Sequence, residues 1–573
     1  GVMRKRFLRY PHMRAARELL AERVPGTVSG LPKKCEKQVP PLPKALAEEL
    51  PPAASPDEPN LFFPRADMLS NHQTKLFLSS SGHMELISGR TAIFLSDFDR
   101  FSLGGGARVY VNIDGVVFPT VPLGKRAKGF SSSFAFSVDG GVAEYRSRHQ
   151  NGNVKYEIRL RLSVFPDREC TEISCTVSGD FALAYAVMYA EPILAQRATY
   201  LAHKCFSDLF LESRYFGDEG ALVIHRRSRG DGKEHRVFGI SAVPAMDAFD
   251  TMRDICLPKR PSEYDFAMLA DRERRYRGSE GAMILPALAV RSAPVRKGGM
   301  ISFYLGVATE EDELLYLLST AEKHGGRKRR KQKQGALLQL QYTAAGLSFP
   351  ADPFERYLLK RMIFGVRKKR EPAGFALDRN AFWRHGISGE NPMVLARFDQ
   401  MEANTAARLG LLLRYFKYLC IRGLRYDFVI FYRETDGYFQ TVRGQVNALI
   451  RAAGCENFVS FACGIYPIDE GRLSQDERFA FSLVASAEFD LGEPFSVSMA
   501  ENEVLPTAEI SVSDVSAHIV PIDEPKRCVL EKTVSGAFHT EGFLVKKPHG
   551  GAPFAHVLAT AHFGTVLTEH SLG

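Results

Sequence analysis

The strictest constraint in this chain is an eleven-residue alternation, Val154 to Val164. Val154, Tyr156, Ile158, Leu160, Leu162 and Val164 alternate with Lys155, Glu157, Arg159, Arg161 and Ser163. A strand sends successive side chains to opposite faces, so this segment has one dry face and one wet face. The stretch Val142–His149 precedes it, with Asn151-Gly152 between, a pair that accepts positive φ cheaply. A hairpin follows. Similar alternation recurs at Ala107–Ile113, Thr171–Val177 and Ile301–Val307. Many half-wet strands joined by Gly and Asn turns imply antiparallel sheets, most simply a large β-sandwich over residues 61–308.

The rest of the chain reads differently. Residues 1–60 form an amphipathic helix, Met13–Val24, and a linker with prolines at 40, 41, 43, 51, 52, 56 and 59. Residues 309–375 form a helical connector. Thr309-Glu310-Glu311-Asp312 resembles a helix start, the helix runs to about Lys323, and Pro353–Arg370 is a second helical stretch. Residues 376–490 alternate helices and short apolar runs. Helices are expected at Glu402–Arg422 and Phe439–Ala453. The runs Asp427–Tyr432 and Phe458–Cys463 suit strands buried on both faces. Ser474-Gln475-Asp476-Glu477 is a capping box opening a third helix. That order describes a small α/β unit with parallel strands. From about Glu493 to 573 strand-like alternation returns. The fold class is therefore mixed and mainly β.

The chain has 573 residues, so two to four domains are expected. At 45% hydrophobic and 25% charged residues it has the composition of a globular protein. It contains no run of about 18 apolar residues, so no membrane span is expected. Nine scattered cysteines, with no CxxC pair, suggest neither a disulfide framework nor a metal site, and a cytoplasmic setting fits best. No signal-type apolar stretch follows the basic residues near the start. The chain begins with Gly and stops in strand-like sequence, so both ends are expected to be cut.

The net charge of +9 invites a nucleic-acid partner. The run Arg327–Lys333 supplies six of those positive charges. Flanked by Gly325-Gly326 and Gly335, it reads as a solvated loop, with non-specific phosphate binding as the alternative. A compact run is not a basic face interleaved with aromatics, so nucleic acid is not the expected partner.

Two familiar site patterns fail. Gly386-Ile387-Ser388-Gly389 has the wrong spacing for a hydrolase elbow. Gly104-Gly105-Gly106 lies among strands and reads as a turn, not a dinucleotide cradle. The segment Trp383–Asp399 is richer. It holds the only tryptophan, then Arg384, His385, Gly386, Ser388, Gly389, Glu390 and Asn391. Glycines let backbone approach a ligand, the polar side chains hydrogen-bond hydroxyls or anions, and an indole can stack on a sugar ring. The plain alternative is a tight turn entering a strand at Met393–Phe398.

Phe382–Ala396, FWRHGISGENPMVLA, resembles the WRHGISGD-PIVL segment of large members of glycoside hydrolase family 94. These are the cyclic β-1,2-glucan synthases and the 1,2-β-oligoglucan phosphorylases. The departures are Glu390 for Asp and Met393 for Ile. Arg17–Pro25, Met68–Asn71 with Ser80-Ser81-Gly82, His203–Phe210 with Glu212, Gly437-Tyr438 with Asn447–Ile450, and Phe554–Glu569 resemble further segments in the same order.

The resemblance implies an inverting phosphorylase in which inorganic phosphate is co-substrate and no cofactor is needed. A carboxylic acid protonates the glycosidic oxygen while phosphate attacks the anomeric carbon from the opposite face. In the family that acid belongs to an (α/α)6 barrel following the strand matched by Thr568-Glu569. No catalytic residue is therefore assigned here. The expected partners are a β-1,2-glucan and the barrel, in cis or as a separate subunit. The expected substrate contacts are Trp383, Arg384, His385, Ser388, Glu390 and Asn391. The alternative is a stand-alone glycan-binding or structural module.

Overall fold

A computed structural model describes residues 64–98, 105–123, 127–227, 236–253, 280–283, 285–323, 327–347, 353–364, 377–503, 529–532, 536–540, 542–545 and 555–568. The expected helix Met13–Val24 lies outside these residues.

The described residues open on a four-stranded antiparallel sheet: β1 Ala66–Ser70, β2 Thr74–Ser79, β3 Met84–Ser88 and β4 Thr91–Phe94. Next come β5 Ala107–Ile113, β6 Val116–Pro119, β7 Ser131–Asp139, β8 Val142–Asn151, β9 Val154–Val164, β10 Cys170–Ser178 and β11 Ala184–Ala190. Two short helices follow, α1 Arg197–Ala202 and α2 Lys204–Asp208. The chain then forms β12 Leu211–Phe216, β13 Ala221–Arg226, β14 Val237–Val243, β15 Met246–Met252, β16 Gly281–Ala282, β17 Pro286–Ser292 and β18 Met300–Ala308.

The strands after β4 form two antiparallel sheets. One has nine strands in the order β16-β12-β13-β14-β18-β10-β9-β8-β7, the other five in the order β15-β17-β11-β5-β6. One apolar core unites them. Ile158, Leu160 and Leu162 of β9 share it with Val109 and Val111 of β5 and Leu288 and Val290 of β17. The dry face read from the alternation is the face that meets this core. The β8–β9 hairpin pairs Asn151 with Val154, so its two-residue loop is Gly152-Asn153, with Gly152 at φ 55°. That is one residue later than the Asn-Gly reading. Gly105 and Gly106 also stand at positive φ, Gly105 bridging Ser96 just before β5, while Gly104 lies outside the described residues.

Helix α3, Glu311–Ala321, packs across β14 and β18 on the outer side of the nine-stranded sheet. A Cβ at Gly306 would come within 2.9 Å of Leu314, so the glycine lets the helix seat closely.

The basic run is not a loop. It opens helix α4, Arg327–Ala345. Arg330 pairs with Glu172 of β10, and both side chains are buried. Lys331 meets Asp139 at 2.6 Å and Lys333 meets Asp167 at 3.1 Å. Arg330, Lys331 and Lys333 thus meet acids supplied by the sheet and its turns, and no local sequence signal announces a partner so far away along the chain.

Helix α5, Pro353–Phe364, packs through Leu359 on Ala66, Met68 and Phe77 of the first sheet. After α6, Asn380–Trp383, comes the parallel unit. Its strands are β19 Met393–Phe398, β20 Asp427–Tyr432, β21 Ile465–Asp469 and β22 Ala487–Asp490. Its crossover helices are α7 Ala403–Ile421, α8 Thr441–Ala452 and α9 Gln475–Val484. The spatial order is β21-β20-β19-β22, all parallel. Alternate residues of β20 enter different cores: Phe428, Ile430 and Tyr432 lie with α7 and α8, Val429 and Phe431 with α9. Burial on both faces is why the strand reads as an unbroken apolar run.

Two expectations are corrected here. Phe458–Cys463 is not a strand. Its start ends a 3-10 turn, Glu456–Phe458, and Ser460 and Cys463 stand at positive φ, which no strand tolerates. The strand begins at Ile465. The segment after Glu493 first forms helix α10, Phe495–Glu503, whose Phe495 is buried against Phe354 and Phe489. Strands return later as β23 Val529–Lys532, β24 Gly536–His539, β25 Gly542–Val545, and the hairpin β26 Ala555–Ala559 with β27 Gly564–Thr568.

Arg422 joins the parallel unit to the rest. Its guanidinium pairs with Glu355 of α5 and donates to the Met68 carbonyl of β1. Ser70 returns a 2.6 Å hydrogen bond to the Arg422 carbonyl.

Candidate functional site

The segment singled out in the sequence is one loop at the amino end of β19. Helix α6 ends in a tight cap. Gly386 N–H donates to Trp383 O at 2.9 Å and Ile387 N–H to Phe382 O at 3.2 Å, with Gly386 at φ 78°. This is the double hydrogen bond that closes helices on a left-handed glycine, and Phe382 and Ile387 supply its apolar contact. Both are buried in the core under α9. The loop is anchored by these two side chains and displays what lies between and after them.

Trp383 is 56% exposed, and its indole N–H donates to Ser388 O at 3.3 Å. Ser388 Oγ accepts from Glu390 N–H at 3.2 Å and lies 3.5 Å from Asn391 Nδ2. Asn391 Nδ2 also reaches Asp427 Oδ2 at 3.4 Å. The structure thus gathers Trp383, Ser388, Glu390 and Asn391 into one turn, with Trp383, Ser388 and Glu390 open to solvent.

Arg384 and His385 face α9. Arg384 pairs with Glu477. Glu477 is itself committed, because its side chain accepts from Ser474 N–H at 2.8 Å while Ser474 Oγ accepts from Glu477 N–H at 3.2 Å. This is the capping box read from the sequence, and the loop's arginine is tied to it. The His385 ring lies 6.0 Å from that of Phe481, and its Nε2 has no hydrogen-bond partner. Burial pushes the imidazole below its ordinary value. The neighbouring Arg384 adds to this, and Glu477 opposes it. A neutral His385 can therefore accept or donate one hydrogen bond.

Sequence reasoning missed Asp427, Tyr466 and Glu477 as neighbours of this loop. Asp427 is buried at the first position of β20. Burial pushes its carboxyl up, and Asn391 with the backbone N–H groups of Cys463 and Gly464 partly offsets this. Tyr466 Oη donates to Phe461 O at 2.8 Å and lies 3.5 Å from Gly386 O. An acid heading an apolar run was the one available signal.

The loop sits at the amino ends of the strands. Open parallel sheets usually hold ligands beyond the carboxyl ends, where the strand order reverses. Here that point lies between β19 and β22. Arg397 there faces Glu488 at 3.5 Å and Asp490 at 3.6 Å. The Trp383 loop is singled out by its residues and not by that rule.

Comparison with solved structures returns distant likenesses. A bacterial glucoamylase complexed with acarbose is 8% identical, with 55% of this chain and 42% of that chain covered and a TM-score of 0.35. A protein from the human microbiome named as a kojibiose phosphorylase is 10% identical, with 52% and 38% covered and a TM-score of 0.30. The family GH92 α-mannosidase BT3965 from Bacteroides thetaiotaomicron is 12% identical, with 65% and 48% covered and a TM-score of 0.25. The matches span less than half the length of those three proteins. At these scores the likenesses carry no inference about fold or chemistry. No family model matches the chain, and no curated protein matches it.

Proposed function

We propose that this chain is the carbohydrate-facing, non-catalytic part of a β-1,2-glucan phosphorylase or of a cyclic β-1,2-glucan synthase. The observation that carries this reading is the ordered resemblance from Arg17 to Glu569, centred on Phe382–Asn391. The geometry supports it: that segment is an anchored loop presenting an indole face with hydroxyl, carboxylate and amide groups beside it. In the complete enzyme, phosphorolysis inverts the anomeric carbon and yields α-glucose 1-phosphate, with the acid supplied by the barrel. A cytoplasmic setting supplies the inorganic phosphate.

One further observation favours a partner domain. The β26–β27 hairpin exposes Val557, Leu558, Phe563 and Val566. Val557 and Val566 pair on one face and Leu558 lies on the other, so the hairpin is apolar on both sides, and exposed apolar side chains of this kind suit a contact with something else. The barrel, in cis or as a separate subunit, is the partner this reading names. A stand-alone glycan-binding module is the second reading, and a solitary monomer that binds glucan without recruiting a barrel-bearing subunit would favour it.

Trp383 is the only tryptophan, so emission excited selectively at the indole, beyond the absorption of the 20 tyrosines, reports on this loop alone. Titrating the chain with β-1,2-linked gluco-oligosaccharides should shift or quench that emission, with no glucose 1-phosphate formed when phosphate is added. Unchanged emission at saturating glucan would remove the site. Clear turnover by the chain alone would show that the chemistry lies within it.

A further inference from the structure

The outer face of the nine-stranded sheet carries a second candidate site. On β8, β9 and β10 the alternation that sends Ala143, Leu160, Leu162 and Ile173 into the core sends Glu144, Arg161 and Glu172 the other way. Helix α4 crosses this polar face but does not close on it. Between them lies a cavity of about 460 Å³, bounded by Glu144, Arg161, Glu172 and Ser174 from the sheet and by Arg330 and Gln334 from the helix. That volume falls within the roughly 300–1,000 Å³ of small-molecule sites.

The lining is costly as mere packing. Glu172, Ser174, Arg330 and Gln334 are all more than nine-tenths buried. Taking charges out of water is unfavourable unless hydrogen bonds replace the lost solvation, and an apolar contact would join helix to sheet more cheaply. Arg330 pairs with Glu172, and Arg161 with Glu144 at 2.6 Å. Gln334 donates to Ser70 O at 3.2 Å, yet its Oε1 has no hydrogen-bond partner. An unmet buried acceptor at a cavity wall asks for a donor.

The chemistry selects the ligand. Glu144 and Glu172 balance Arg161 and Arg330, and at the rim Lys331 neutralises Asp139. A balanced wall gives no net attraction for an anion or a cation. It offers acceptors and donors side by side, which a sugar hydroxyl can satisfy because it both gives and takes a hydrogen bond. Val142 adds an apolar patch suited to a C–H face. We propose that this cavity binds a neutral mono- or disaccharide, at a site separate from the Trp383 loop. The assignment stands on the cavity lining and does not require the function proposed for that loop.

The test uses the full chain, with glucose and a β-1,2-linked glucose disaccharide as probes, followed by saturation-transfer NMR and calorimetry. Two variants address the cavity: Ser174→Phe fills it, and Arg161→Gln removes a donor from a partly exposed position with little risk to folding. Thermal melting confirms that each is folded. Binding at least tenfold weaker in Arg161→Gln, and lost in folded Ser174→Phe, supports the site. Binding that survives both variants but disappears in Trp383→Phe places the sugar at the loop and overturns the inference. Absence of sugar binding, or equal competition by inorganic phosphate, overturns it too. The converse result, binding kept in Trp383→Phe and lost in the cavity variants, leaves the cavity standing and removes the loop reading.

Discussion

Arg330 of the basic run and Glu172 of β10, 158 residues apart, form a buried ion pair that ties α4 to the sandwich. Its neighbour Lys331 forms a solvent-open pair with Asp139. The two pairs differ in kind, because only the first is removed from water. Replacing Arg330 by Met removes the cation paired with the buried Glu172 carboxylate and should destabilise the fold by about 3–5 kcal/mol. Lys331→Ala should change stability by about 0–1 kcal/mol. Urea unfolding of the two variants checks this. Small and equal effects would return the whole run to a solvated role.

His149 provides an acid-sensitive point in the sandwich. It is buried, with Nδ1 2.8 Å from Ser132 Oγ and Nε2 3.1 Å from Ser147 Oγ. Burial pushes its imidazole down to about 4, against a small opposing effect of the Pro119 backbone. The unfolded chain binds this proton near pH 6.5, before the folded chain does. The stabilisation is thus fully present above about pH 6.5 and is lost as pH falls from there to about 4. The loss is on the order of 2–3 kcal/mol. His149→Gln should flatten that part of the stability profile, measured by urea melts from pH 4 to 7. An unaltered slope would show that other groups carry it.

The cysteines should divide by accessibility. Burial pushes the thiols of Cys170 and Cys175 up to about 12 and that of Cys455 to about 11, whereas Cys205 is exposed. Only a thiolate reacts readily. Brief alkylation of the native chain at pH 8, mapped by mass spectrometry, should modify Cys205 and spare the other three. Early labelling of Cys175 would mean the sandwich opens more readily than its packing suggests.

Glucan binding tests the loop. In an assembly that includes the barrel, His385→Ala should weaken β-1,2-glucan binding about tenfold, which corresponds to about 1.4 kcal/mol. Arg384 is already paired with Glu477, so Arg384→Ala should act partly through stability, lowering the melting temperature as well as affinity. Calorimetric titration beside thermal melting separates the two. An affinity unchanged in His385→Ala would leave the segment a structural turn.

The alternation of Val154–Val164 was sufficient to place a half-wet strand, because a strand's two faces are written directly in every second residue. The unbroken run at Asp427–Tyr432 and the box at Ser474–Glu477 were equally legible, since burial on both faces and a helix cap are local in cause. The Trp383–Asn391 loop was visible as a set of residue types and as a resemblance. The tertiary structure decided what its members meet: Trp383, Arg384, Ser388 and Glu390 are all exposed, but Arg384 is also paired with Glu477, a partner 93 positions later in the numbering. It also decided that Arg327–Lys333 opens a helix, that Ile465 and not Phe458 starts a strand, and that Asp427 lies beneath Asn391. Each of these depends on which distant groups meet. A strand's faces follow from its own residues, whereas the partner of a charge is set only when the chain has folded around it.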